Sequence, residues 1–383
     1  MQTTAQGWLV LGLTNSAGLL GLTSAAANLP TLLLSLFAGV LADRVDRRRL
    51  LVTMHSLAAI FTAILALLTT LGLVPFWHVL VLAFLVGCTS ALSSPAYQSL
   101  VSTLVPQRSL GNAIALNSMQ FNFSRIVGPS FAGFGIALGG IAMSFWANSL
   151  SFVIVALVLA TLPLRRTLVV GRLEASLWTN IGDGLRYARS TPPVPILLLL
   201  TIVPALLNLN YLVLLPIFAR DVLVIGAPGL GLMTSAVGIG AVVGALTVAV
   251  LRPGGGSGRL LIVALMASST GLLIFSLSTW LPLSLVGLAM LGGFQVAYYA
   301  TTNTLLQLLV PTRLRGRVMS LYILSSTGFM PLGNVIAGPI ADRVGVQATL
   351  AGCALITILI CCVVAIRARD LRNLHASRVQ TPA

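Results

Sequence analysis

Apolar runs of membrane-spanning length follow one another along the whole 383-residue chain, separated by short polar or arginine-rich pieces. A transmembrane helix needs roughly 17 to 25 apolar residues, and the runs that qualify are Gly21 to Ala42, Leu50 to Gly72, Phe76 to about Thr103, Asn112 to Leu138 and Ile141 to Leu162. A second series runs from Pro195 to Ala219, Gly229 to Leu251, Arg259 to Thr279, Pro282 to Leu309, Arg317 to Ile340 and Val346 to Ile366. Met1 to Asn15 is apolar but too short to cross, and it lacks the basic start and cleavage site of a signal peptide, so it reads as the end of a helix. The pattern predicts an all-α polytopic membrane protein. Residues 1–163 form a first six-helix half with an incomplete first helix, 164–194 a cytoplasmic linker, 195–367 a second six-helix half, and 368–383 a cytoplasmic tail. Leu177 to Ala188 in the linker has the pattern of a short amphipathic surface helix, ended by Thr191-Pro192-Pro193.

Charge fixes the orientation. Only 8% of residues are charged, 22 bases against 7 acids, and every base is arginine. Gly39-Val40-Leu41-Ala42-Asp43-Arg44-Val45-Asp46-Arg47-Arg48-Arg49 packs six charges between two apolar runs, and short arginine-rich loops stay cytoplasmic. Alternation from that loop puts 19 of the 22 arginines in cytoplasmic segments; Arg220 and Arg343 fall outside and Arg125 falls within a span. The net charge of +15 does not indicate nucleic acid, because the arginines are scattered over loops and the aromatics sit inside apolar runs instead of forming a stacking surface. Cys88, Cys353, Cys361 and Cys362 lie within spans with no ligand spacing to His55, His78 or His375, so no metal and no cofactor are expected. The expected partners are a small molecule and membrane lipid, the chain acting as a monomer.

The halves repeat one another. Val105-Pro106-Gln107-Arg108-Ser109-Leu110-Gly111 matches Val310-Pro311-Thr312-Arg313-Leu314-Arg315-Gly316 as V-P-x-R-x-x-G, an offset of 310 − 105 = 205. The same offset puts Gly128, Ala132 and Gly133 on Gly333, Ala337 and Gly338, and Gly39 and Arg47 on Gly244 and Arg252, without gaps. A same-orientation duplication of six helices is one of the transporter architectures. It also places Met1 on Leu206, inside a span, so about eleven residues of a first helix are expected upstream, as in a truncated gene model.

Six plus six helices, the G-x-x-x-D-R-V-D-R-R-R loop after the second span, a Gly-Pro pair in the fifth span and R-G-R-V-M-S entering the eleventh resemble the major facilitator superfamily. Within it the chain is similar to the drug-antiporter-3 branch, which includes the enterobactin exporter and macrolide efflux proteins. The resemblance implies a proton-driven exporter, not an enzyme, in the bacterial inner membrane with its C-terminus cytoplasmic. Gly39, one turn before Asp43, permits close helix approach. Asp43 is then expected to face the start of the eleventh helix near Gly316 and Arg317 as a cytoplasmic latch, with Arg44, Arg47 and Arg48 in the family's basic positions. The alternative is that these arginines set topology only. Val248 stands where Asp43 would repeat. Gly128, Pro129 and Gly133 resemble the fifth-helix antiporter motif, though they equally suit an ordinary kinked span.

Arg125 is the one charge deep in a span, near the midplane at 1.5 Å per residue. With Ser118 and Asn122 it makes a polar stripe. It binds an acidic or carbonyl-rich substrate, shifts the pKa of a coupling group, or makes a structural hydrogen bond. Asn117 and Gln120, Asn208 and Tyr211, and Gln295, Tyr299 and Asn303 are further cavity candidates, with interhelical hydrogen bonding as the other reading. No Asp or Glu lies inside a complete span, so the proton-coupling group is not identified. The absence of a Walker motif excludes ATP hydrolysis by this chain. The function expected is efflux of amphipathic drug-like or siderophore-like molecules by alternating access between the halves. An importer or metabolite facilitator is the alternative, with a membrane-embedded enzyme or an inactive fragment behind it.

Overall fold

The computed structural model describes residues 1–103, 106, 109–161, 185–251 and 257–372. All regular structure among them is helical. The first series is α1 (Gln2–Thr14), α2 (Ala17–Arg44), α3 (Arg47–Thr70), α4 (Phe76–Thr103) and α5 (Leu110–Thr161). Asn15 ends α1 in the left-handed conformation, and the Ser16 hydroxyl then accepts the Leu19 N–H to start α2. Asp46 caps α3, its carboxylate accepting the Arg49 N–H at 3.0 Å. The charged loop is therefore also a helix start. At Gly140, with φ 76° and ψ 179°, α5 breaks into two arms, 110–139 and 141–161. Only glycine adopts that backbone without strain, so the fifth and sixth spans meet where the sequence separates them.

The second series is α6 (Val194–Leu206), α7 (Tyr211–Ile217), α8 (Gly226–Leu251), α9 (Gly258–Leu277), α10 (Leu281–Leu309), α11 (Thr312–Ile323), α12 (Met330–Val344), α13 (Val346–Arg367) and the single turn α14 (Arg369–Arg372). The seventh span, expected as one rod, is α6, a turn, α7 and a π-helical turn at Phe218–Val222. Pro204 and Pro216 each remove a ladder donor there. The eleventh span starts earlier than Arg317. Pro311 accepts the N–H groups of Leu314 and Arg315, so α11 begins at Thr312; it passes through a π-helical turn at Leu324–Gly328 into α12. Of the expected linker helix, residues before 185 lie outside the described residues, and 185–190 are helical.

Among the described residues ten stretches are long and apolar enough to cross a membrane. Their outward residues are apolar: Leu138 is 80% exposed and Leu359 64%. Large apolar side chains in such positions belong against lipid, where the helical ladder satisfies the backbone internally.

The chain divides into two compact units, Met1–Arg172 with Ile225–Gly231, and Leu173–Val224 with Leu232–Ala383. In the first, α2 packs on α4, α3 on α4 and α5, and α1 on α5. In the second, α9 packs on α10 and α13, and α6 on α12 and the π-helical turn before it. Close approach is set by glycine: a Cβ on Gly240 or Gly244 of α8 would fall on the backbone carbonyl of Ala289 or Gly293 in α10.

The 205-residue offset recurs in this geometry. Gly140 and Gly345 (345 − 140 = 205) are both positive-φ glycines opening a last helix. α4 begins at Phe76 and α10 at Leu281 (281 − 76 = 205). Gly128 faces Met1 as Gly333 faces Leu206, both pairs related by 205. The offset fails at the start of α9. The capping residues Asp46 and Ser257 are 257 − 46 = 211 apart, so the connection before α9 is longer than its first-half counterpart.

Candidate functional site

Each unit carries a polar face on its fourth helix. In the first unit Ser90, Ser94 and Tyr97 of α4 are exposed at four- and three-residue spacing, which puts them on one side of the helix. The Tyr97 hydroxyl donates to Asn117 Oδ1 on α5 at 3.0 Å. Gln120 is exposed and donates to the Ser124 hydroxyl at 3.3 Å. Leu116, Met119 and Phe123 of the same arm are exposed alongside. Hydroxyls and amides set among aromatic and thioether surface suit a ligand with a few polar groups on an apolar frame.

In the second unit Gln295, Tyr299 and Asn303 share one face of α10, as their spacing requires. Gln295 is 8% exposed, while Tyr299 and Asn303 are half-buried. Asn303 accepts from Gln307, and the Tyr299 carbonyl accepts the Tyr322 hydroxyl at 3.2 Å. Tyr298, the neighbour of a predicted site residue, is a strut: buried, its hydroxyl donates to Leu200 O of α6 at 2.8 Å. The two stripes correspond. Adding 205 to Ser90 and Ser94 gives Gln295 and Tyr299. Applying the repeat to the α10 stripe was thus the signal that would have found the α4 serines, which residue-by-residue reading missed.

For Asn208 and Tyr211, cavity candidates with interhelical hydrogen bonding as the other reading, the contacts follow that other reading at Asn208. Tyr211 is fully buried and Asn208 is 1% exposed. The Asn208 side chain donates to the Ser269 hydroxyl of α9 at 2.9 Å and accepts from the Thr357 hydroxyl of α13 at 2.9 Å. It ties the break between α6 and α7 to two scaffold helices. The first unit has the same device in Gln2, whose Oε1 accepts from Thr62 of α3 at 3.3 Å and Asn148 of the second α5 arm at 2.8 Å. In apolar surroundings a side-chain amide is best placed where both its ends are bonded.

For the latch, the surroundings of Gly39 and the side chains of Asp43 and Arg44 are outside what is described, although the α2 backbone runs through them to Arg44. Arg47 and Arg48 are half-buried in the first turn of α3. Gly316 and Arg317 sit a turn inside α11, so their N–H groups belong to the helical ladder and not to its free start. A Cβ on Gly316 would meet nothing within 4 Å. In the fifth-helix motif a Cβ on Gly133 would stand 2.7 Å from Ala227 O, and the Pro129 side chain lies outside the described residues. So do those of Ser118, Asn122 and Arg125. The backbone places Arg125 fifteen residues after Leu110, roughly 22 Å along its arm. The four cysteines are free thiols. Among the described residues no group of three or more His, Cys, Asp or Glu could hold a metal.

The sequence profile of transmembrane secretion effectors matches residues 1–382. The multidrug efflux pump Tap of Mycolicibacterium fortuitum is 30% identical over 378 residues, covering 96% of this chain and 91% of Tap. The staphyloferrin A transporter of Staphylococcus aureus is 25% identical, covering 92% of this chain and 88% of its own. These relatives are transporters, not enzymes. Among solved structures, that of the nucleoside transporter NupG superimposes with a TM-score of 0.76 at 13% identity, covering 96% of this chain and 95% of NupG, a likeness of fold.

Proposed function

The chain belongs to the transmembrane secretion effector family of the major facilitator superfamily, and on that footing we propose that it exports amphipathic small molecules, driven by protons, through alternating access of its two halves. The observation that carries the export reading is the likeness to the efflux pump Tap, which extends over nearly all of both chains. The substrate class rests on the α4 and α10 stripes. Their hydroxyls and amides lie beside aromatic side chains, and the α4 stripe adjoins exposed apolar residues of α5. Such a surface takes apolar bodies with scattered polar groups and asks little of any one contact.

In this reading Asn117, Gln120, Gln295, Tyr299 and Asn303 hydrogen-bond the substrate, and Arg125 meets its acidic or carbonyl groups. Asp43, with Gly39 and the arginines 44, 47 and 48, latches the cytoplasmic side against the start of α11, and substrate or proton binding releases it. The arginine bias supports a cytoplasmic C-terminus and the inner membrane of a bacterium. A second reading has one specific observation in its favour: the S. aureus relative is a siderophore transporter by name, and an acidic siderophore would suit Arg125.

Efflux of a fluorescent amphipathic dye from expressing cells, with and without protonophore, tests the proposal. Protonophore-sensitive efflux is expected, with loss in Arg125→Ala only for anionic or carbonyl-rich substrates. Uptake instead of extrusion in inside-out vesicles under an inward-acid gradient supports export, since the vesicle lumen is then the outer side. No gradient-dependent movement of any dye refutes it.

A further inference from the structure

The short helix 185–190, just before α6, has a face that the transport reading does not use. Its inner side is fixed to the second unit. Ala188 is 2% exposed in the same apolar cluster as Val194 and Leu197 of α6, and the Tyr187 hydroxyl donates to Leu309 O at the end of α10 at 3.3 Å. Three and four residues apart on its outer side stand Leu185, Arg186, Arg189 and Ser190, all exposed, lining an open cleft of about 450 Å³. Among the described residues neither Arg186 nor Arg189 has a carboxylate within salt-bridge distance. Two guanidinium groups without a carboxylate partner among the described residues thus stand one turn apart, on a helix anchored by its inner side, beside a leucine that is 39% exposed. Their level is set by the fold. Val194 opens a membrane span four residues after Ser190, and Leu309 closes one, so the cleft lies at the membrane surface.

We propose that this cleft binds the headgroup of an anionic phospholipid. Arg186 and Arg189 take the phosphate oxygens through their forked N–H donors, Ser190 adds a hydroxyl, and Leu185 lies along the glycerol and first acyl carbons. Arginines at an anionic membrane surface attract such lipids even when mobile. Here they are pre-positioned, so the bound lipid cements the linker helix to α6 and α10. The inference does not depend on which molecule is transported.

The full chain, purified in mild detergent, is titrated with short-chain phosphatidylglycerol and read by native mass spectrometry, with phosphatidylcholine and inorganic phosphate in parallel. Wild type is expected to retain phosphatidylglycerol selectively. Arg186→Gln with Arg189→Gln should bind it about 30-fold more weakly, an estimate from two arginines at an anionic surface, while Arg186→Lys with Arg189→Lys recovers most of the binding. Arg343→Gln, an exposed arginine in the last turn of a different span, should leave it unchanged. Retention in the double Gln variant equal to wild type overturns the proposal. So does inorganic phosphate displacing the lipid at equal concentration, which would make this a free-anion site, or an equal loss in Arg343→Gln, which would make the attraction unspecific. A thermal midpoint measured without lipid separates failure to fold from failure to bind.

Discussion

Replacing Asn208 by Leu separates a structural amide from a substrate-binding one. The side chain is 1% exposed and bridges α9 and α13 by two hydrogen bonds of 2.9 Å. Leucine is close in volume, so packing is largely kept and the loss is polar. Hydrogen bonds between membrane helices average about 0.6 kcal/mol and reach about 1.7, so removing two costs roughly 1 to 3 kcal/mol. The partners soften the loss. Ser269 also donates to Leu265 O and Thr357 also donates to Cys353 O, so neither hydroxyl is left without a bond. The expected result is a thermal midpoint lowered by several degrees in detergent. Transport per folded molecule should stay within about twofold of wild type, because the amide is enclosed between helices with both its ends bonded. Ser269→Ala should give a smaller loss, and combining it with Asn208→Leu should add little, since both remove the same bond. A variant with wild-type stability and abolished transport would refute the reasoning and return Asn208 to the binding site.

Gly244→Leu drives a side chain into the α10 backbone at Gly293; the folded, monodisperse fraction on size-exclusion chromatography should collapse, with Gly244→Ala intermediate, and an unchanged yield would mean that the two helices are not in contact. Asp46→Ala removes the α3 cap and should cost about 1 kcal/mol of stability with transport intact, whereas Asp43→Asn, if the latch proposal is right, should change transport with stability intact. Equal effects of the two substitutions on transport would dissolve that distinction.

Much of the fold was legible because a membrane leaves few solutions. Apolar run length gave the start of α4 at Phe76 and the break at Gly140, since lipid demands a span and only glycine turns so tightly there. What run length could not show was helix irregularity. Hydropathy averages over Pro204 and Pro216, so the seventh span read as one rod, and it is blind to the cap at Pro311 that starts α11 early. For the site, spacing along one helix was legible and burial was not. Asn208 and Asn303 look alike in sequence, each an asparagine in a largely apolar span, yet one is enclosed between three helices and the other half-open. Asp46 was read only as loop charge, because capping depends on which backbone N–H groups the turn leaves free.

The repeat sorts what is shared between the halves from what is not, and the division runs between scaffold and chemistry. Positions related by 205 keep their backbone role: Gly140 and Gly345 open a helix, Gly128 and Gly333 face the first helix of their series, Phe76 and Leu281 begin the fourth. The amide braces Gln2 and Asn208 preserve the connection between first, third and sixth helices while slipping by one residue, so it is the bracing and not the residue that is kept. On the fourth helices the spacing survives and the chemistry changes, from Ser90 and Ser94 to Gln295 and Tyr299. Asp43 gives way to Val248, and Arg125 to Met330. A duplicated bundle needs the same packing twice, whereas the fourth-helix stripes, which the transport proposal assigns to substrate contact, are free to differ between the copies. The unequal pairs on α4 and α10 are therefore where selectivity should be sought first, and the equal ones are where substitution should be felt as instability.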